Sequence, residues 1–182
     1  MILGSSNRSK VGCWVLLAAA LFVVALDQVS KRLVVANLAL YESWVPCPAL
    51  AGWIDVHYVG NSGAAFGLFP NGSLVFVIVS VVVSLIILLY SHRLADGQLL
   101  LRLSLGLQLG GALGNLIDRL WLGYVVDFLD LHILPVFNLA DVAIVCGVAL
   151  LVLLMVLEDR RRTRLVSSAG GDSRAQEEVP QG

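Results

Sequence analysis

Within the apolar stretch GGALGNLIDRLWLGYVVDF at 110–128, four side chains able to do chemistry stand close together: Asn115, Asp118, Arg119 and Asp127. Asn138 and Asp141 follow in the short run FNLAD at 137–141. Ionisable groups near hydrocarbon are expensive, so each needs a partner or a task. Asp127 and Asp141 have no cation within a helical turn. Two such carboxylates facing each other cannot both ionise easily, so the pair shares a proton. The ionised member can then activate water while the protonated one polarises a carbonyl. The competing role for Asp141 is to cap the helix that begins there. Spacing leaves both roles open.

The other polar residues pair more readily. Asn115, Asp118 and Arg119 are spaced i, i+3, i+4 and share a helix face. Asp27 and Lys31 are i, i+4. Lys31, Asp118 and Arg119 are expected to neutralise neighbours, because intramembrane charges usually need a partner. Gly106, Gly110 and Gly114 repeat every fourth residue and read as a packing seam, between helices of one chain or of two.

These residues are positioned by a chain of 182 residues that is 58% hydrophobic and only 14% charged, with mean hydropathy +0.87. A soluble domain carries about a quarter charged residues. Four apolar runs, about 11–35, 73–90, 99–120 and 139–157, approach the roughly 20 residues needed to cross a bilayer. The expected fold is an α-helical integral membrane protein with four transmembrane helices. The first run follows Arg8 and Lys10, as a signal peptide would. Its length, and the continuation through Asp27-Gln28-Val29-Ser30-Lys31, favour a retained helix.

Lys and Arg concentrate before helix 1, in the 2–3 loop and after helix 4, so both termini are expected to be cytoplasmic. Trp44, Trp53 and Trp121 fall in or beside the two outer loops, as interfacial rings should. On this topology Asp27, Lys31, Asn115, Asp118, Arg119, Asp127, Asn138 and Asp141 gather at the outer end. The outer loop 36–71 is too long for a simple connector. Its alternating segment 53–59 reads as a strand, and Gly60, Gly63 and Gly67 as turns, giving a small extracytoplasmic β-structure. Residues 1–10 form a cytoplasmic N-terminus, 11–158 the membrane domain, and 159–182 a cytoplasmic tail expected to be disordered from Val166 onward.

Several chemistries are excluded or weakened. Net charge is −1, which offers no basic face for nucleic acid. Cys13, Cys47 and Cys146 give no metal spacing, and there is no His-Glu-x-x-His or Walker loop. Gly60-Asn61-Ser62-Gly63 matches a serine-protease turn, but no histidine falls inside a spanning run to serve as base. A proton path should cross both leaflets, yet only Arg102 and Gln108 lie deeper. An assembly subunit would leave Asp127 and Asp141 unexplained.

Taken together, Asp27-Gln28-Val29-Ser30-Lys31, Asn61-Ser62-Gly63-Ala64-Ala65-Phe66, the run 110–119, Val126-Asp127-Phe128 and Phe137-Asn138-Leu139-Ala140-Asp141 resemble the bacterial lipoprotein signal peptidases (signal peptidase II). The resemblance spans about 11–157. It implies a four-helix aspartyl peptidase of the bacterial inner membrane that cleaves a prolipoprotein before its diacylglyceryl-modified cysteine. Asp127 and Asp141 would be the catalytic dyad. Asn61, Gly111, Asn115, Arg119 and Asn138 would line the site, and Asp27, Lys31 and Asp118 would support it. The resemblance further implies water as nucleophile, no metal or organic cofactor, contact with membrane lipid, and inhibition by the cyclic peptide globomycin. The connection 129–137 looks short for the family.

Overall fold

A computed structural model describes residues 5–50, 52–63, 72–91, 93–94 and 98–177. Four helices and three short strands follow in order. They are α1 (Ser5–Asn37), β1 (Ser43–Trp44), β2 (Asp55–Asn61), α2 (Gly72–Ser91), α3 (Leu99–Trp121), β3 (Val125–Asp130) and α4 (Leu139–Glu177). Each helix contains a segment long and apolar enough to cross a membrane. In lipid every backbone polar group must be satisfied internally, which a helix does by itself.

α3 is the central helix. It packs against α1, α2 and α4, and 56% of its span is buried against 28% or less in the others. Glycines permit this closeness. A Cβ at Gly106 would meet the Leu16 carbonyl of α1 at 2.6 Å, and one at Gly110 the Ala20 carbonyl at 2.7 Å. One at Gly111 would strike the carbonyl of Ala140 in α4. The glycine seam therefore joins helices within one chain, α1 on one side of α3 and α4 on the other. Leu16, Ala20, Ile87, Leu105 and Leu109 fill the apolar core beside it.

The strands form one antiparallel sheet in the order β1-β2-β3 at the end of the bundle where α1 and α3 finish and α4 begins. The strand expected over 53–59 lies two residues further along, at Asp55–Asn61. A further strand, β3, falls between the third and fourth apolar runs, outside the segment expected to hold β-structure. VVDFLD pairs with β2, setting Asp55 opposite Asp130 and Asn61 opposite Val125. Its first four residues are buried, Val126 and Phe128 among them packing with Val34 and Tyr58. Between Val56 and Val59 the register slips, so β2 carries one extra residue, a bulge that sharpens the local twist.

The backbone of α4 is helical to Glu177. A helix already nucleated in the membrane extends by one hydrogen bond per residue, and the first proline after it is Pro180. Glu158 and Arg162, one turn apart, add a contact at 3.1 Å. Ala64-Ala65-Phe66 and Gly67 of the outer loop lie outside the described residues.

Candidate active site

The site is built where five elements converge: the last turns of α1 and α3, the first turn of α4, and strands β2 and β3. Lys31 of α1 is its hub. Its Nζ lies 2.8 Å from Asp27 Oδ2 and 2.9 Å from Asp118 Oδ2, and donates to Asn115 Oδ1 at 3.0 Å. Each carboxylate then holds backbone from another element. Asp27 Oδ1 accepts from the Ala140 N–H of α4 at 3.0 Å, and Asp118 Oδ2 from the Val126 N–H of β3 at 3.0 Å. Buried ions survive only when paired and fully hydrogen-bonded, and this triad meets that condition.

Around this support the two remaining aspartates approach through a chain of amides. Asn115 Nδ2 donates to Asp141 Oδ1 at 2.8 Å. Asn138 Nδ2 donates to Asp127 Oδ1 at 2.6 Å and to Asn115 Oδ1 at 3.1 Å. Asn61 Nδ2 reaches Asp127 Oδ2 at 2.8 Å from the neighbouring strand. Asp127 and Asp141 thus stand at the two ends of one Asp127–Asn138–Asn115–Asp141 path. Among the described residues neither forms a salt bridge. Asp141 also caps the helix that it opens. The Asp141 N–H donates to Asn138 Oδ1 at 3.0 Å while Asp141 Oδ2 accepts from the Asn138 N–H at 3.2 Å, a reciprocal cap on α4. Its other oxygen faces Asn115.

The connection between the aspartates explains why they meet. Phe137 returns to pair with Leu129, with Leu129 N–H donating to Phe137 O at 2.8 Å and Phe137 N–H to Leu129 O at 3.1 Å. The next residue, Asn138, is thereby delivered beside β3. His132 pins the loop to β2, its Nε2 lying 2.9 Å from Asp55 Oδ2.

Gly111 lies at the α3–α4 crossing, where its small size is what matters. Among the described residues Arg119 forms no salt bridge with a carboxylate. Its guanidinium lies 5.1 Å from the centre of the Phe76 ring, its Nη1 donates to Asn115 O at 3.3 Å, and its buried Nε has no partner among the described residues. Gln28, between Asp27 and Val29, also joins the polar cluster. Its Nε2 donates to Asp118 Oδ1 at 2.9 Å and to the Gly114 carbonyl at 3.2 Å, bracing α1 against α3. An amide inside a spanning run was the available signal, because it too needs partners there. Deeper in α3, Gln108 turns to Ser104 and Arg102 to the Leu94 carbonyl. Leu109, Gly110, Gly111 and Ala112 separate them from Asn115, so the polar cluster does not continue as a conduit.

Burial is the main electrostatic influence on Asp127, which is 2% exposed. It pushes the carboxyl from 3.8 up to about 6, with the charge of Asp141 adding to the rise and the Asn61 and Asn138 donors and Lys31 opposing it. Because the folded value lies above the unfolded one, the native state binds the extra proton between about pH 4 and about pH 6. Stability is therefore expected to fall as pH rises through that window, by at most about 3 kcal/mol at 1.36 kcal/mol per unit. Thermal melts of wild type and Asp127→Asn across pH 3.5–7 (roughly the window set by linkage) check this. The decline should be steeper in wild type than in the variant; parallel curves would refute the assignment.

Fold and site define a polytopic membrane protein with two carboxylates held near each other at one end of its bundle. A family model described as Signal peptidase (SPase) II matches residues 19–157. The chain is 56% identical to a lipoprotein signal peptidase of Moorella thermoacetica over 74% of this chain and 88% of that one. It is 44% identical to one of Halothermothrix orenii over 77% and 94% respectively. A bacterial membrane enzyme solved by the in meso method superposes with a TM-score of 0.71 at 29% identity, covering 79% of this chain and 88% of the other. This chain belongs to the signal peptidase II family, and it is a peptidase of lipoprotein processing.

Proposed function

We propose that the protein is an aspartyl endopeptidase of the bacterial inner membrane that removes signal peptides from prolipoproteins, cutting before the diacylglyceryl-modified cysteine. The observation that carries this reading is the pairing of Asp127 and Asp141 through Asn138 and Asn115, with no cation bridged to either carboxylate among the described residues. Water held between them loses a proton to the ionised carboxylate and attacks the scissile carbonyl. The protonated partner donates to the carbonyl oxygen, and a tetrahedral intermediate forms. Its collapse breaks the C–N bond as a proton passes to the departing amine of the cysteine. Charge builds on the oxygen in this step, and preorganised donors lower its energy. The unpartnered Nε of Arg119 and the amide of Asn61 serve there and along the substrate backbone.

The location suits the substrate. An apolar signal segment and a diacylglyceryl group hold the scissile bond at the membrane surface, and the sheet end of the bundle meets water and lipid together. With both termini cytoplasmic, that end is extracytoplasmic. Lys31, Asp27 and Asp118 touch no substrate; they fix Asn115 and β3, and so position the dyad.

The test uses purified protein in detergent with a lipid-modified prolipoprotein peptide and its unmodified counterpart. Cleavage is expected before the modified cysteine alone, unaffected by EDTA and blocked by globomycin. Loss of activity on EDTA treatment would sink the metal-free mechanism. Equal cleavage of the unmodified peptide would sink the substrate assignment.

A further inference from the structure

At the end of the bundle opposite the sheet, α4 carries Arg160, Arg161, Arg162 and Arg164. The proposed chemistry uses none of them. A helix rises 1.5 Å per residue, so roughly 20 residues cross the ~30 Å of hydrocarbon. Entering at Leu139, α4 therefore emerges about where Arg160 and Arg161 stand. That places the arginines at the headgroup level of the far leaflet.

Helical spacing sorts these charges around α4. Arg160, Arg161 and Arg164 stand i, i+1, i+4 and share one face. Leu157 and Leu153 continue that face toward the hydrocarbon, one and two turns deeper, and both are exposed. The three arginines are exposed too, and among the described residues none of them forms a salt bridge. Arg162 points elsewhere and is taken by Glu158 at 3.1 Å. The other acid of this segment, Asp159, borders a neighbouring recess with Thr163 and is bridged to no arginine among the described residues. Leu157, Arg160, Arg161 and Arg164 enclose a recess of about 370 Å³ whose lining contains no carboxylate.

Three cations without an internal counterion, set at headgroup level below an apolar stripe, call for an anion that carries its own hydrocarbon. Guanidinium meets phosphate through paired N–H···O bonds, and basic clusters beside a spanning helix attract anionic lipid. The order along α4 suits such a molecule, because the leucines lie nearer the bilayer centre than the arginines.

We propose that this face of α4 binds anionic phospholipid of the leaflet opposite the sheet, with phosphodiesters on Arg160, Arg161 and Arg164 and an acyl chain along Leu157 and Leu153. Three free cations so close together match a headgroup with two phosphodiesters better than one with a single phosphodiester. Cardiolipin is therefore preferred over phosphatidylglycerol, and both over phosphatidylcholine, whose ammonium cancels its phosphate. The site lies at the other end of the molecule from the aspartate pair and does not depend on the catalytic reading.

The experiment is native mass spectrometry of the full chain released from micelles doped with cardiolipin, phosphatidylglycerol and phosphatidylcholine in equal amounts. Wild type is expected to retain them in that order. The triple variant Arg160→Gln, Arg161→Gln, Arg164→Gln should lower cardiolipin retention at least fivefold. Arg162→Gln removes a charge from another face and should stay within about twofold of wild type, whereas Arg164→Gln alone should lose more. Melting curves identify folded variants, and if the triple variant does not fold, Arg164→Gln against Arg162→Gln decides the matter. Wild-type retention by the folded triple variant overturns the proposal. So do equal losses in Arg162→Gln and Arg164→Gln, since net charge and not this face would then govern. Equal retention of phosphatidylcholine by wild type overturns it as well.

Discussion

Asp127→Asn and Asp141→Asn are each expected to reduce turnover of a lipid-modified prolipoprotein peptide by two to four orders of magnitude or more, about the contribution of a positioned acid or base. Both variants should still insert and fold. The expectation is most discriminating at Asp141, which also caps α4. Its two oxygens accept from Asn115 Nδ2 and from the Asn138 N–H, and an asparagine keeps only one acceptor. A residue that only capped would lose about 1 kcal/mol of stability on substitution and leave turnover per folded molecule unchanged. A member of the dyad would lose turnover while the melting temperature moved little. Single-turnover rates normalised to the folded fraction separate the two. Substantial cleavage by either purified variant removes that aspartate from the mechanism.

The second large effect concerns stability. Lys31→Met should destabilise the protein by roughly 3–5 kcal/mol, because it leaves Asp27 and Asp118 buried without their cation. Activity per folded molecule should fall as well, since Asn115 loses one of the two donors to its carbonyl and with it part of the constraint on the orientation presented to Asp141 and Asn138. Adding Asp27→Asn to Lys31→Met should recover part of the loss, so the double variant is less destabilised than the sum of the two single ones. Denaturation midpoints in detergent measure all three. A Lys31→Met protein within about 1 kcal/mol of wild type would show that the triad contributes no more than a surface pair.

Much of this architecture is legible in the residues because the membrane imposes simple rules. Long apolar runs give the four helices, and charges rare enough to be conspicuous give the polar cluster. What stays hidden depends on partners distant in the chain. VVDFLD carries no alternation that marks a strand, since its first four residues are buried on both faces. Its identity as β3 comes from pairing with β2, and that pairing moves Asp127 from a loop onto a rigid edge. The glycine seam has one appearance whether it packs a partner helix of the same chain or of another; only the proximity of Leu16 and Ala20 decides. Arg119 reads as a countercharge beside Asp118, yet it projects toward Phe76 of α2. Gln28 sits next to residues of obvious interest, and its role emerges only when α1 is laid against α3.

The i, i+4 pairing of Asp27 with Lys31 at 2.8 Å also bears on how the protein is made. The other partners of this pair lie on helices synthesised later; Asn115 is 84 residues beyond Lys31. During insertion α1 must cross hydrocarbon before any of them exists. Two opposite charges one turn apart on the same helix cancel locally, so of the three charges in the α1 span only Arg32, nearer its outer end, enters uncompensated. The ion pair that later anchors the finished site thus also serves as its own temporary counterion during biogenesis.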